Sequence, residues 1–221
     1  MEKLSQPMED YLKTIYLLQQ STGKGVSTNA IAVALSVTPA SVTGMVKKLA
    51  ELKLVRHMPY QGVELTKAGE KIALEVVRHH RLLELFLTEA LGYSWDEVHA
   101  EADELEHVIS EAFEDRIAAR LGQPLIDPHG DPIPTKEGTI ATVQQEALVD
   151  LVEGQSGRIA RVNDSNPEML RYAAHLGLRP QARVTLIESE PFGGSLRIRV
   201  GKTEHSIGRE LAAQIFIRVE K

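Results

Sequence analysis

The residues of this 221-residue sequence that could do chemistry are histidines and carboxylates at helical spacing. In EVHAEADELEHVIS, His99, Asp103, Glu106 and His107 follow one another at steps of four, three and one. On a helix those steps fall on adjoining positions of one face, within reach of a common cation. Acids crowded in this way repel one another unless a cation relieves them; the competing reading is a solvated helix face. His80 and Glu84 stand one turn apart in RHHRLLELFL. Asp127 and His129 are two residues apart in the turn-rich QPLIDPHGDP, where prolines stiffen the chain; that stretch alone reads first as a polar interdomain loop and second as a site. The sequence has no cysteine, which excludes disulfides, thiolate nucleophiles and Cys-ligated zinc or iron–sulfur sites. Any metal must then be held by imidazoles, carboxylates and backbone oxygens, a donor set suited to hard divalent ions.

The elements that must position these residues can be read from caps and periodicity. Residues 72–91 form a long helix ended by Gly92. Ser94 and Glu97 have the spacing of a capping box, and they open a second helix through residues 97–121, ended by Gly122. Upstream, PMEDYLKTIYLLQQ has helical periodicity with Pro7 in its first turn. A short helix follows over VSTNAIAVALSV, capped by Ser27 or Thr28. A third opens at Thr38-Pro39-Ala40, with Val42, Met45, Val46 and Leu49 as its buried stripe. Ser41, Thr43, Gly44, Lys47 and Lys48 remain on the outer side, a face small, polar and basic enough to enter a major groove. LVRHMPYQGVELTKAG then reads as strand, turn and strand, the wing of a winged helix, with Arg56, His57 and Tyr60 placed to lie along phosphates. Together with Thr28 at the start of the preceding helix, these residues make the expected DNA-binding surface.

Composition sets the class. With 43% hydrophobic and 25% charged residues the chain is ordinary globular material. No apolar run reaches the roughly 18 residues of a membrane span. The start, MEKLSQPMEDYLK, has acids and a proline where a signal peptide carries an apolar stretch, so a cytoplasmic protein is expected. The net charge of −6 is unevenly spread: residues 1–72 balance to +3, residues 73–140 to −10 and residues 141–221 to +1. A basic first third beside an acidic middle fits one part facing a polyanion and another binding cations. After a linker at residues 138–146, the last third alternates short apolar segments with Gly, Pro and Ser, the pattern of a small antiparallel barrel. One helix interrupts it, capped by Asn166, and no catalytic constellation stands out there.

The order of these pieces resembles the diphtheria-toxin-repressor family of metal-dependent transcriptional repressors, and within it the manganese transport regulators. The resemblance spans essentially the whole chain and is carried by MEDYLKTIY, TPASVTGMVKKL, VELTKAG, RHHRLLELFL and EVHAEADELEHVIS. It implies a mainly α fold with a β module. A winged helix-turn-helix domain occupies residues 1–72, a helical dimerisation and metal-binding domain residues 73–140, and an SH3-like domain residues 141–221, similar to the ferrous-iron-transport A module. It further implies a homodimer that binds double-stranded operator DNA when loaded with Mn2+, Fe2+ being the alternative, and that represses metal-uptake genes without catalysis, membrane or small-molecule substrate. By position, Asp10, His80, Glu84, His99, Asp103, Glu106 and His107 fall on the family's ligand positions. A site at the interdomain loop would draw on Glu84, Asp127, His129 and Glu168. Iron-type members carry methionine and cysteine where this chain has Asp10 and Asp103, so the sulfur-free set favours manganese. Lys13 departs from the manganese type, and an ammonium there would repel a second, closely spaced ion. A metal-dependent hydrolase is the reading from another class, because such ligands leave positions open for water; it leaves the winged helix unexplained.

Overall fold

The computed structural model describes residues 4–23, 25–58 and 62–220. The wing tip at residues 59–61, and with it Tyr60, lies outside the described residues. The chain divides into two compact units. The first comprises Met1–His80, Glu106–Ser110 and Pro134–Thr139, and the second Arg81–Leu105, Glu111–Ile133 and Ile140–Lys221.

In the first unit α1 (Gln6–Thr22) has proline in its opening turn and ends on Gly23 in the left-handed conformation. Ser27 caps α2 (Thr28–Ala34) by accepting the Ala30 N–H, so Thr28 is the first helical residue and not the cap. Thr38 caps α3 (Pro39–Glu51) by accepting the Ser41 N–H, with Pro39 where its missing N–H costs nothing. β1 (Val55–Met58) pairs antiparallel with β2 (Gly62–Leu65), Val55 opposite Leu65. Leu12 and Ile15 of α1, Ile31 of α2, Val42 and Leu49 of α3, Val63 of β2 and Ala73 of α4 (Lys67–Phe86) share one core and are fully buried. Each large member contributes about 1.5–3 kcal/mol by leaving water. The expected α3 stripe is therefore the buried one, with Met45 partly covered.

In the second unit the last turn of α4 runs into a π-helical turn, Leu87–Leu91, which Gly92 ends at φ 75°. α5 (Val98–Leu105) and α6 (Glu111–Arg120) follow. The single helix expected over residues 97–121 is thus corrected: it stops after Leu105, and Glu106–Ser110 belong to the first unit. Glu106 and His107 make ion pairs with Lys13, His80, Glu9 and Asp10, and these take the place of continued helix. After them comes a six-stranded antiparallel sheet with the order β3-β8-β4-β5-β6-β7. Its strands are β3 (Glu146–Ala147), β4 (Ser156–Val162), β5 (Arg183–Ser189), β6 (Leu196–Val200), β7 (Thr203–Ile207) and β8 (Ile215–Val219). α7 (Pro167–His175), capped by the Asn166 side chain, and α8 (Arg209–Ala213) complete the unit. Ile159, Leu186, Leu196, Ile198, Ile215 and Ile217 form the floor of its core, which Trp95 joins from the segment before α5. Among the described residues no single helix is long and apolar enough to cross a membrane.

Candidate metal centres and nucleic-acid interface

Asp10, Glu106 and His107 come together in the first unit, each offering a ligand atom within 4.8 Å of the others. His107 Nε2 lies 2.8 Å from Asp10 Oδ1 and 3.3 Å from Glu106 Oε1, while its Nδ1 lies 2.7 Å from Glu9 Oε2. α1 presents Glu9 and Asp10 in its first turns, and the chain turning out of α5 presents the other two. Burial raises the Asp10 carboxyl above its ordinary value and the nearby Glu106 charge adds to this, against the pull of His107 and Lys13. Two carboxylates around one imidazole, with burial penalising the charge of Asp10, have the chemistry of a cation site. His80, from α4, does not face this trio with the same atoms: its Nδ1 stands 2.5 Å from Glu106 Oε2 and 3.0 Å from Lys13 Nζ.

A second centre lies in the second unit, where Glu84, Asp127 and His129 are all buried and again within 4.8 Å of one another. The loop fixes Asp127 by one oxygen: Oδ1 accepts the backbone N–H groups of His129 and Asp131 at 2.8 and 2.9 Å. His129 is held at the opposite nitrogen, Nε2–H donating to the Trp95 carbonyl at 2.9 Å while the ring stacks on the indole. That leaves Asp127 Oδ2 and His129 Nδ1 buried without a hydrogen-bond partner within 3.5 Å among the described residues, though Arg81 Nε is 3.6 Å from the former. Buried polar atoms are rarely orphaned, and a divalent ion bound between them would satisfy both. Glu84 spans the group, with Oε1 3.1 Å from His99 Nδ1 and Oε2 3.6 Å from His129 Nδ1. Burial would lower the His129 pKa, but the Glu84 carboxylate facing Nδ1, first by its direct approach and then by its charge together with those of Asp127 and Asp164, prevails and raises it to about 9. Asp127 is pushed well above the usual carboxylate range by burial and by Glu84 and Asp131.

The expected ligands are therefore distributed between two clusters. Asp10, Glu106 and His107 form one, and Glu84, Asp127 and His129 the other. His99 adjoins the second through Glu84, and Asp103 stays on α5, 3.6 Å from His99 Nε2 across one turn. Glu168 is exposed on the first turn of α7 and joins no such group among the described residues. The acid that does is Asp164, four residues earlier, 3.3 Å from His99 Nδ1. Sequence reading missed Asp164 because Asn163-Asp164-Ser165-Asn166 looks like an ordinary turn, and it missed Glu9 because only contact with His107 distinguishes it from Asp10.

On α3, Pro39, Ala40, Ser41, Thr43, Gly44, Lys47 and Lys48 are exposed. The Thr38 hydroxyl serves the cap, and the Thr43 hydroxyl donates to the Pro39 carbonyl at 3.0 Å, which holds both side chains close to the helix. Thr28 is partly buried, and Arg56 and His57 are exposed on β1. The result is a low, polar ridge with two ammonium groups toward its end, shaped for close approach to a groove.

Residues 3–63 match the model of the iron dependent repressor N-terminal DNA binding domain, and residues 66–135 that of the iron dependent repressor metal binding and dimerisation domain. Residues 147–219 match the FeoA domain. The iron-dependent repressor IdeR of Mycobacterium leprae (strain TN) is 32% identical over 233 aligned positions, covering 100% of both chains. The chain belongs to the iron-dependent repressor family. Members of that family are metal-dependent, DNA-binding transcriptional repressors and not enzymes, so the hydrolase reading falls. The HTH-type transcriptional regulator MntR of Geobacillus kaustophilus (strain HTA426) is 40% identical over 110 residues, half of this chain and 77% of its own length. Among solved structures, a manganese-dependent transcriptional repressor in complex with manganese has a TM-score of 0.91 at 38% identity, covering 96% of this chain and 100% of that one. The IdeR of T. acidophilum has a TM-score of 0.81 at 27% identity over 100% of both. The winged helix, the helical metal and dimerisation part and the SH3-like antiparallel sheet are the architecture of this family.

Proposed function

We propose that this repressor responds to manganese, and that as a cytoplasmic homodimer it shuts off metal-uptake genes when the metal is abundant. The observation that carries the choice of metal is the donor set. Asp10, Glu106 and His107 in one centre, and Glu84, Asp127, His129 and Asp164 in the other, contain oxygen and nitrogen but no sulfur. Such a set suits hard ions and forgoes the soft donor that other metals exploit. Kinship with the mycobacterial IdeR, named as iron-dependent, supports Fe2+ as the second reading.

A divalent ion would supply the positive charge that lets these carboxylates stay ionised side by side. Asp10 and the Glu106-His107 pair come from distant parts of the chain, so holding one ion in common fastens α1 at its N-terminal end. α1 shares its core with α2 and α3, and its position is thereby passed to the helix that faces DNA. Pro39, Ala40, Ser41, Thr43, Lys47 and Lys48 would meet the operator, with Thr28 and Thr38 at the margins. Two such ridges in a dimer would read half-sites about one helical turn apart. The division at residues 1–72, 73–140 and 141–221 then assigns reading, sensing with dimerisation, and support of the second centre. A hundredfold gain in operator affinity needs about 2.7 kcal/mol of coupling, and linkage requires operator DNA to tighten ion binding by the same factor.

The test is an anaerobic operator-binding titration with Mn(II), Fe(II), Co(II) and Zn(II) supplied separately. Activation by Mn(II) at lower free concentration than Fe(II) is expected. Activation by Fe(II) alone would establish the second reading, and equal DNA binding with chelator present would remove metal control.

A further inference from the structure

Glu106 shows its two carboxylate oxygens to different neighbours. Oε1 stands 3.3 Å from His107 Nε2, the nitrogen that also meets Asp10. Oε2 accepts a hydrogen bond from the Lys13 ammonium at 2.6 Å, and His80 Nδ1 is 2.5 Å from the same oxygen and 3.0 Å from Lys13 Nζ. The three side chains are 1%, 13% and 5% exposed for Glu106, Lys13 and His80. Lys13, His80 and Glu106 thus close a triangle in which a tethered positive charge sits where an imidazole nitrogen and a carboxylate oxygen converge. Those two atoms are the donors a divalent ion takes, and they lie close enough to share one. Burying the Glu106 charge also requires a partner, since a carboxylate sealed from water without one is strongly disfavoured. Lys13 lies one turn beyond Asp10 on α1, so the fixed cation and the first ligand move together.

We propose that Lys13 is the permanent second cation of this centre: it limits the centre to one ion and turns Glu106 so that Oε1 faces Asp10 and His107. The assignment rests on the reading of Asp10, Glu106 and His107 as an ion site, and one experiment tells the two apart. The full-length chain and its Lys13→Glu, Lys13→Gln and Asp10→Ala variants are titrated with Mn(II) alone. Bound ions per chain are counted by equilibrium dialysis, and the loaded proteins are examined by electron paramagnetic resonance. Lys13→Glu turns the triangle into an imidazole with two carboxylates, and it takes up one more Mn(II) per chain than the parent, with lines broadened by a neighbouring paramagnet. Lys13→Gln, uncharged and less disruptive to folding, gains the same ion at least about tenfold more weakly, having one charged ligand fewer. Asp10→Ala loses one ion. Should Asp10→Ala lose none, the ion-site reading fails and this proposal with it. Should Asp10→Ala lose one while folded Lys13→Gln and Lys13→Glu gain none, Lys13 is a plain ion-pair partner and the proposal alone is overturned.

Discussion

Glu9 Oε2 lies 2.7 Å from His107 Nδ1, and that contact decides where the rest of the imidazole faces. With Nδ1 held, Nε2 points to Asp10 and Glu106. A carboxylate behind a ligand histidine fixes ring orientation and raises donor strength, and its loss costs about 10–100-fold in metal affinity. Glu9→Ala is accordingly expected to weaken Mn(II) binding at the first centre by that factor while the number of ions bound at saturation stays the same. Calorimetric titration checks it, and an affinity equal to that of the parent would reduce Glu9 to a surface acid.

Asp164 and Glu168 make a paired comparison four residues apart. Asp164 adjoins His99 and Glu84 in the second centre, whereas Glu168 is exposed on α7. Asp164→Ala should weaken Mn(II) binding there by about tenfold or more, and Glu168→Ala should leave it within about twofold. The reverse order in dialysis measurements would return the ligand role to Glu168.

The pH response follows from His129. Its pKa of about 9 means that Nδ1 carries a proton at neutral pH in the ion-free protein. Coordination displaces that proton, so Mn(II) affinity of the second centre should rise roughly tenfold per pH unit up to about pH 9 and then level. Stability of the ion-free protein runs the opposite way. A histidine raised above its unfolded value of 6.5 stabilises fully below that value, and the contribution is lost as pH climbs through about 9. Asp127, raised by burial, acts in the same direction, because ionising it inside the fold is unfavourable. Thermal unfolding with chelator should therefore show a lower midpoint at pH 9.5 than at pH 6.5; a flat profile would contradict the raised pKa.

Gly44 lies mid-helix on the exposed side of α3, and a Cβ built on it meets no atom within 4 Å. Nothing inside the protein requires glycine there, and alanine should stabilise the helix by about 0.8–1 kcal/mol. The added methyl would stand between the ridge and the groove, so Gly44→Ala should raise the unfolding temperature while weakening operator binding by about tenfold, the scale of one lost base contact. A stabilised variant with undiminished operator affinity would move the reading face away from Gly44.

The winged helix was legible because local chemistry specifies it. Thr38-Pro39 marks the start of α3, Gly23 ends α1, and the apolar stripe of α3 faces the core. The candidate metal ligands were legible as residue types but not as two groups. EVHAEADELEHVIS contains no glycine or proline to announce the break after Leu105; ion pairs to Glu9, Asp10 and Lys13, more than ninety residues away in sequence, set it. Asp164 was hidden for the opposite reason. Its neighbours have strong turn preferences of their own, which masked an acid whose role comes from packing beside His99.

The loop that carries Asp127 and His129 is sewn to β4. The Val162 N–H donates to the His129 carbonyl at 2.9 Å, and at Gly130, φ 93°, a Cβ would come within 2.0 Å of the Ala160 carbonyl oxygen. Asp164 follows two residues after that strand ends. The FeoA-like portion is in this way one wall of the second centre as well as an appended module. A shortened subunit that stopped before β4 would lose a wall and a candidate donor of that centre in one cut.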